Sequence, residues 1–222
     1  MESCTAERFL KDTKDHKMEV IRAEGVNRHL RFRKPGTICY GFDIITWPGH
    51  LCITGDCGTY VFRRLEDMFQ FFRSDIVMDD GFRINPGYWA EKVLAKDVRH
   101  GIKRFSIERF AENVRTYFED SEVFEKEGFA GECWKQIEKQ MLNCVSSEFE
   151  AYEAIQCFEC DGFRFEDFWE FDSQEFDFGF LWNLYAIVWG IREFDNAEKH
   201  LDKPNRHCVI HAEIPVDRFN AE

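Results

Sequence analysis

Residues 27–64 constrain the fold more than any other part of the chain. This stretch, NRHLRFRKPGTICYGFDIITWPGHLCITGDCGTYVFRR, contains short runs in which apolar and polar residues alternate. Turn sequences separate the runs, and at residues 34–37 and 47–50 proline presets φ while glycine accepts a positive φ. Successive strands joined by such short turns pair antiparallel. The sequence therefore predicts an antiparallel β-meander with one face that needs a cover.

The chain beyond the sheet is predicted to be mainly helical. Ser106 is a suitable N-cap for a helix whose apolar residues recur at helical spacing, and residues 131–145 and 147–158 repeat that pattern. Residues 88–96 also predict a short helix. Residues 178–191 are apolar nearly all round, which indicates the buried centre of the helical part.

Together these patterns predict an α+β fold, an N-terminal antiparallel β-meander covered by a mainly helical C-terminal half. We expect residues 1–104 to hold a short N-terminal helix and the sheet. Residues 105–222 would form an acidic helical region packed on that sheet in one compact unit. A chain of 222 residues is long enough to bury a substantial core.

The cysteines and the N-terminus indicate an intracellular protein. The first residues mix charges and contain no apolar run, so no secretory signal is predicted. Nine cysteines, an odd number, are then expected to be reduced thiols rather than a disulfide framework. The longest apolar segment is too short to span a bilayer. We expect a cytoplasmic protein without a membrane partner.

The charge is distributed very unevenly. Residues 119–177 carry 4 basic and 18 acidic side chains, a net charge of −14, whereas residues 1–118 carry 20 basic and 17 acidic ones. One interpretation is a nucleic-acid mimic, in which carboxylates occupy the basic groove of a partner. The predicted contact, which we name the acidic face, consists of Glu148, Glu150, Glu153, Glu166, Asp167 and Glu170.

The other interpretation of the acidic residues 119–177 is that they form a solvated outer surface on ordinary core helices. In that case the aromatic residues interleaved with the acids only pack inward. These aromatic residues are Phe163, Phe165, Phe168, Trp169 and Phe171.

The predicted sheet provides an alternative, nucleic-acid-binding surface. Alternation along the strands places several cations on one face, where they could grip phosphates or pair with the protein's own acids. We name this set the basic stripe, and it consists of His29, Arg31, Arg33, Lys34, Arg63 and Arg64.

Metal and catalytic sites are further hypotheses. Asp43, His50 and Asp56 lie on adjoining strands or their turns and could hold a metal for phosphodiester cleavage. Zinc could bind a second set of residues, in which the first two cysteines are spaced as zinc ligands often are but the later residues lack the usual spacing. That set is Cys157, Cys160, His207, Cys208 and His211.

No standard catalytic motif is present. The sequence lacks GxGxxG, P-loop, GxSxG and HExxH patterns, so we predict no cofactor and favour a protein that is not an enzyme. Cys57 lies in a turn between two glycines, but no histidine is positioned by sequence to activate its thiol.

Residues 28–72 resemble an uncharacterised family of small proteins encoded by tailed phages and prophages. The resemblance rests on an RHLRFR-PGT…FDIITWPGHL-ITGD-GTYVF-R-EDMF-FF core that matches this chain. It implies a phage accessory protein made in the bacterial cytoplasm, and it supplies no catalytic residue. By analogy with phage proteins of this size and charge, it implies an inhibitor of host defence such as an anti-CRISPR protein. The partner would be a host defence protein or nucleoprotein complex.

Overall fold

A computed structural model describes residues 4–73, 83–122 and 128–201. Within them the strands are β1 Lys17–Glu24, β2 Asn27–Arg33, β3 Phe42–Trp47, β4 His50–Gly55, β5 Gly58–Arg63, β6 Val93–Lys96, β7 Lys103–Phe105 and β8 Gln174–Phe176. The α-helices are α1 Ala6–Thr13, α2 Met68–Arg73, α3 Pro86–Ala90, α4 Ile107–Glu119, α5 Phe129–Ile137, α6 Glu148–Cys157 and α7 Phe178–Leu201. A π-helical turn, Glu138–Leu142, extends α5, and a 3-10 helix spans Phe168–Glu170. The predicted α+β fold class is confirmed.

The N-terminal sheet is the predicted antiparallel meander, extended at one edge by a strand that was predicted as a helix. Its order is β1-β2-β3-β4-β5-β6, and each strand pairs antiparallel with the next. At the predicted turn between β3 and β4, Gly49 adopts a φ of 78°, which glycine accepts without strain. A register shift between Val20 and Arg22 interrupts the outer strand β1.

The sixth strand corrects the helix predicted over residues 88–96. Asn85 caps a helix that starts at Pro86 and ends at Ala90, because its side chain accepts a hydrogen bond from the Tyr88 amide. The chain then extends as β6 and pairs with the edge of β5. Backbone pairing with a neighbouring strand thus overrides the local helical pattern.

One face of the sheet is covered by α1, α2 and α7. The sheet contributes alternate residues to this core, among them Leu30, Phe32 and Ile44, all with no exposed surface. Helix α7 lies directly on them, and the Phe32 and Trp189 rings have centroids 5.2 Å apart. A β-carbon at Gly190 would lie 2.6 Å from Ile44 Cδ1, so glycine permits this close approach of helix to sheet.

A second, separate core lies in what we name the helical unit, residues 105–171. Phe110, Val114 and Phe118 of α4 form one side of it, and Ile137 and Ile155 come from α5 and α6. Ser106 caps α4 as predicted, with its hydroxyl accepting from the Arg109 amide. The acidic helices therefore bury their apolar faces against each other, while α7, predicted as the centre of the helical part, belongs to the core of the sheet.

A two-stranded ribbon, β7 and β8, joins the helical unit to the sheet. We name this ribbon the stem. Lys103 pairs with Phe176, and Phe105 pairs with Gln174. The Asp177 amide donates to the Ile102 carbonyl at 2.9 Å just outside it. The helical unit is thus an insertion between β6 and α7 whose two ends lie side by side.

Among the described residues, no helix has both the length and the apolarity to cross a bilayer. The strand predicted over residues 208–214 lies outside the described residues.

Candidate protein-binding surface

The acidic segment folds with its phenylalanines inward and its carboxylates outward. Phe163, Phe165 and Phe168 are buried in the core of the helical unit, as the interpretation of this segment as a solvated outer surface expects. Asp167 adopts a φ of 52° and redirects the chain into the 3-10 helix. Trp169 is an exception to the burial of these aromatic side chains, since 71% of its surface is exposed.

All six residues of the acidic face are exposed. Within the described ranges, no ion pair joins any of the six to a cation. Two cations of the helical unit pair with other acids, Lys135 with Glu132 and Arg164 with Glu159. The acidic face therefore keeps its negative charge open to solvent, where it attracts basic ligands at low salt.

The six acids do not point in one direction. Helix α6 turns by about 100° per residue, so Glu150 and Glu153 lie roughly 160° and 140° around the axis from Glu148. Glu148 accepts a hydrogen bond from Gln174 Nε2 at 3.1 Å and lies in the same surface groove as Glu170. Glu166 lines a different depression beside Tyr117. The acids thus cover the unit broadly instead of forming one pocket.

Glu150 also has a structural role. The Ser147 hydroxyl accepts from the Glu150 amide, and the Glu150 carboxylate accepts from the Ser146 hydroxyl and amide at 2.7 Å each. This reciprocal arrangement caps α6. The hydrogen bonds from Ser146 lower the pKa of Glu150 from its ordinary value. A binding test that changes Glu150 must therefore retain a hydrogen-bond acceptor at this position.

The basic stripe is organised around Asp43, which the sequence interpretation treated as a metal ligand. His29 Nε2 lies 2.7 Å from Asp43 Oδ2, Arg31 donates to the same oxygen at 3.1 Å, and Arg33 lies 3.7 Å from Oδ1. Burial alone would raise the pKa of the Asp43 carboxyl, but hydrogen bonds from His29 and Arg31 outweigh burial and hold that pKa below its ordinary value. Three side chains of the basic stripe are therefore already engaged by one carboxylate.

The rest of the basic stripe does not join this cluster. Lys34 pairs with Asp15 at 2.8 Å, in an exposed ion pair. Arg63 and Arg64 are exposed at the end of β5, three strands from β2 and so about 14 Å away. The register Arg31–Asp43 across β2 and β3 brings the cluster together. Strand alternation alone put these residues on one face, but it could not show that they touch.

Replacing Asp43 with asparagine is expected to lower the free energy of unfolding by about 1–2 kcal/mol at neutral pH. The amide keeps the shape but loses the negative charge that His29, Arg31 and Arg33 contact, and all three side chains remain partly exposed to solvent. Because the folded pKa is lowered, this stabilisation is complete above the unfolded value of about 3.9 and is lost as the pH falls through the folded value. Urea unfolding at pH 7 and over the acid range measures both effects.

A matched control for this substitution is Glu24→Gln. Glu24 pairs with Arg22 in an exposed ion pair, so its loss should change stability by less than about 0.5 kcal/mol. An acid dependence of stability that is equally steep in wild type and Asp43→Asn would contradict the role given to Asp43.

The proposed metal residues do not come together. Asp43 contacts His29 and Arg31, His50 Nδ1 contacts the Pro48 carbonyl, and Asp56 accepts from the Tyr40 amide. In the described parts of the chain, no three His, Cys, Asp or Glu side chains converge as a metal site would require. These three residues therefore do not form the predicted metal site.

The cysteine hypotheses have different outcomes. Cys157 is exposed whereas Cys160 is buried in the core of the helical unit, so the two thiols face different surroundings. Their predicted zinc partners, His207, Cys208 and His211, lie outside the described residues. Burial raises the pKa of the Cys57 thiol, which opposes its use as a nucleophile.

Comparisons with known proteins gave no match: no protein-family model, curated protein or solved structure is significantly similar to this chain. The resemblance of residues 28–72 to phage and prophage proteins stays an expectation. Four of the six residues of the basic stripe contact the protein's own acids, whereas no residue of the acidic face forms an ion pair within the described residues.

Proposed function

We propose that this protein is a non-enzymatic binding protein that inhibits a host nucleic-acid-handling defence complex through its acidic face. One observation carries the proposal: six exposed carboxylates of the helical unit have no cationic partner within the described residues. A basic groove that normally holds phosphates would be attracted to them over several ångströms at moderate salt. The phage origin, the host cytoplasm and the anti-CRISPR-like role follow from the resemblance and belong to the proposal.

The alternative function, nucleic-acid binding by the basic stripe, is less favoured by the geometry. Affinity for phosphates comes from Lys and Arg side chains that replace the counterions condensed on the nucleic acid, so those side chains must be available to the ligand. Arg31, Arg33 and His29 instead surround the Asp43 carboxylate, and Lys34 is paired with Asp15. Binding a phosphate there would require the ligand to compete with the protein's own acids.

The experiment is a pull-down from nuclease-treated bacterial lysate at low salt, with wild type and a neutralised variant compared. The variant changes every residue of the acidic face to its amide. Glu150→Gln keeps an acceptor for the capping hydrogen bonds, and Asp167→Asn keeps a side chain that tolerates a positive φ. We expect wild type to retain a partner that a DNA or RNA oligonucleotide displaces. Retention by the variant should fall at least tenfold.

A control variant carries the same change in net charge elsewhere. It neutralises Glu7, Glu24, Glu66, Glu91, Glu193 and Glu198, none of which lies in the helical unit. This control should retain the partner as wild type does. Equal retention by the neutralised variant would contradict the proposal, and recovery of nucleic acid alone from untreated lysate would favour the basic stripe instead.

A further inference from the structure

The helical unit exposes large aromatic side chains among its acids. Tyr152 is 62% exposed and Trp169 is 71% exposed. Both line one surface groove of about 420 Å³ between α6 and the segment that contains the 3-10 helix. Exposed tryptophan and tyrosine in a concave, partly apolar site are typical of binding hot spots, since each can bury a large area at little entropic cost.

The floor of this groove, which we name the Trp169 groove, is apolar. Phe110, Ala151, Ile155 and Phe168 reach it from the core of the helical unit, and all four are buried. A packed floor of this kind is rigid, because its side chains are already fixed by the neighbouring core. The groove is therefore preformed, and a ligand does not need to open it.

The rim of the Trp169 groove is acidic. Glu148, Glu170 and Asp172 line it, and only Asp172 has a cationic partner within the described residues, Lys103 at 2.6 Å. An anionic ligand would meet two uncompensated carboxylates. A cationic ligand would instead be attracted by these two carboxylates.

The volume limits what can occupy the groove. A cavity of about 420 Å³ lies near the lower end of the range for small-molecule pockets. It can take one or two large side chains but not a whole helix, which is about 10–12 Å in diameter. The occupant must therefore combine a local apolar anchor with flanking positive charge.

We infer that the Trp169 groove binds a Lys- or Arg-rich segment of the partner, which inserts a large apolar side chain against Tyr152 and Trp169. The flanking cations pair with Glu148 and Glu170. This inference rests on the proposed function and deepens it, because it places the anchor of the basic partner at one point on the broad acidic surface. Charge then brings the partner to the helical unit, and the groove fixes its register.

The test uses two short, fluorescently labelled peptides that carry the same lysines. One has a central phenylalanine and the other has a serine at that position. Fluorescence anisotropy at low salt measures their affinities for the full chain. We expect wild type to bind the phenylalanine peptide at least tenfold more tightly, and Trp169→Ala or Tyr152→Ala to remove that preference.

Phe149→Ala is the matched control variant. Phe149 is 67% exposed on the same helix as Tyr152 but does not line the Trp169 groove, so its loss should leave the preference unchanged. Since all three substituted side chains project into solvent, the variants should keep the wild-type circular dichroism.

The outcomes separate this inference from the proposed function. If both peptides bind in a salt-dependent way without preference, or if the preference survives both Trp169→Ala and Tyr152→Ala, the groove assignment is overturned and the acidic-face proposal stands. If neither peptide binds at low salt, both are overturned. Self-association of the chain that Trp169→Ala abolishes would make a second copy the occupant and would also overturn the inference.

Discussion

Replacing Phe9 with alanine is expected to lower the free energy of unfolding by about 3–5 kcal/mol. Phe9 has no exposed surface, and its ring lies edge-on to Trp182 at 5.0 Å and close to Tyr185 and Trp189. Its removal would leave a cavity between α1 and α7 that these large rings cannot collapse to fill. Urea unfolding followed by tryptophan fluorescence and circular dichroism measures the loss.

Leu10→Ala is the control for that cavity, one residue further along the same helix. Leu10 is 40% exposed, so its truncation should cost less than about 1 kcal/mol. Similar losses for the two variants would mean that α1 does not seal the core of the sheet.

Phe163→Ala is expected to destabilise the helical unit by about 3–4 kcal/mol while leaving the sheet protected. Phe163 is buried and contacts Phe118, Phe158 and Phe165, all within the second core. Because the two cores share no buried residue, the loss should be local. Hydrogen exchange should show faster exchange at amides of α4 and α6 and unchanged exchange in β2 to β5.

Ile44→Val provides the reciprocal control from the other core. It removes one buried methylene under α7 and should cost about 0.5–1.5 kcal/mol. Its effect should appear in the sheet amides. If Phe163→Ala accelerated exchange equally in both parts, the two cores would unfold as a single cooperative unit.

The sheet could be predicted well because its information is local. Turns with proline and glycine fix where strands end, and alternation fixes which face each residue occupies. Strand β6 could not be predicted in this way, since its four residues extend only because the edge of β5 offers hydrogen bonds. The apolar character of α7 predicted its burial, but hydrophobicity does not specify which surface buries it.

The negative charge of the candidate site could be predicted from the sequence, but the arrangement of its side chains could not. Interleaved acids and aromatics indicated outward carboxylates, as observed for Glu166 and Glu170. The sequence indicated the exposure of Trp169 only weakly, because Trp169 directly follows the buried Phe168 and so interrupts the spacing of the phenylalanines. The pairing of Asp43 with Arg31 and His29 depends on cross-strand register, which the sequence of either strand alone does not encode.

The stem has a consequence for how such a protein could diversify. Arg104 and Glu175 face each other across it, so the chain leaves the sheet and returns to it at neighbouring points. Everything between could lengthen, shorten or be exchanged by recombination without altering a contact beneath α7. If the proposed function holds, selection by a changing partner would act on the inserted helical unit while the sheet stayed unchanged. Related chains could then carry different binding surfaces on the same sheet.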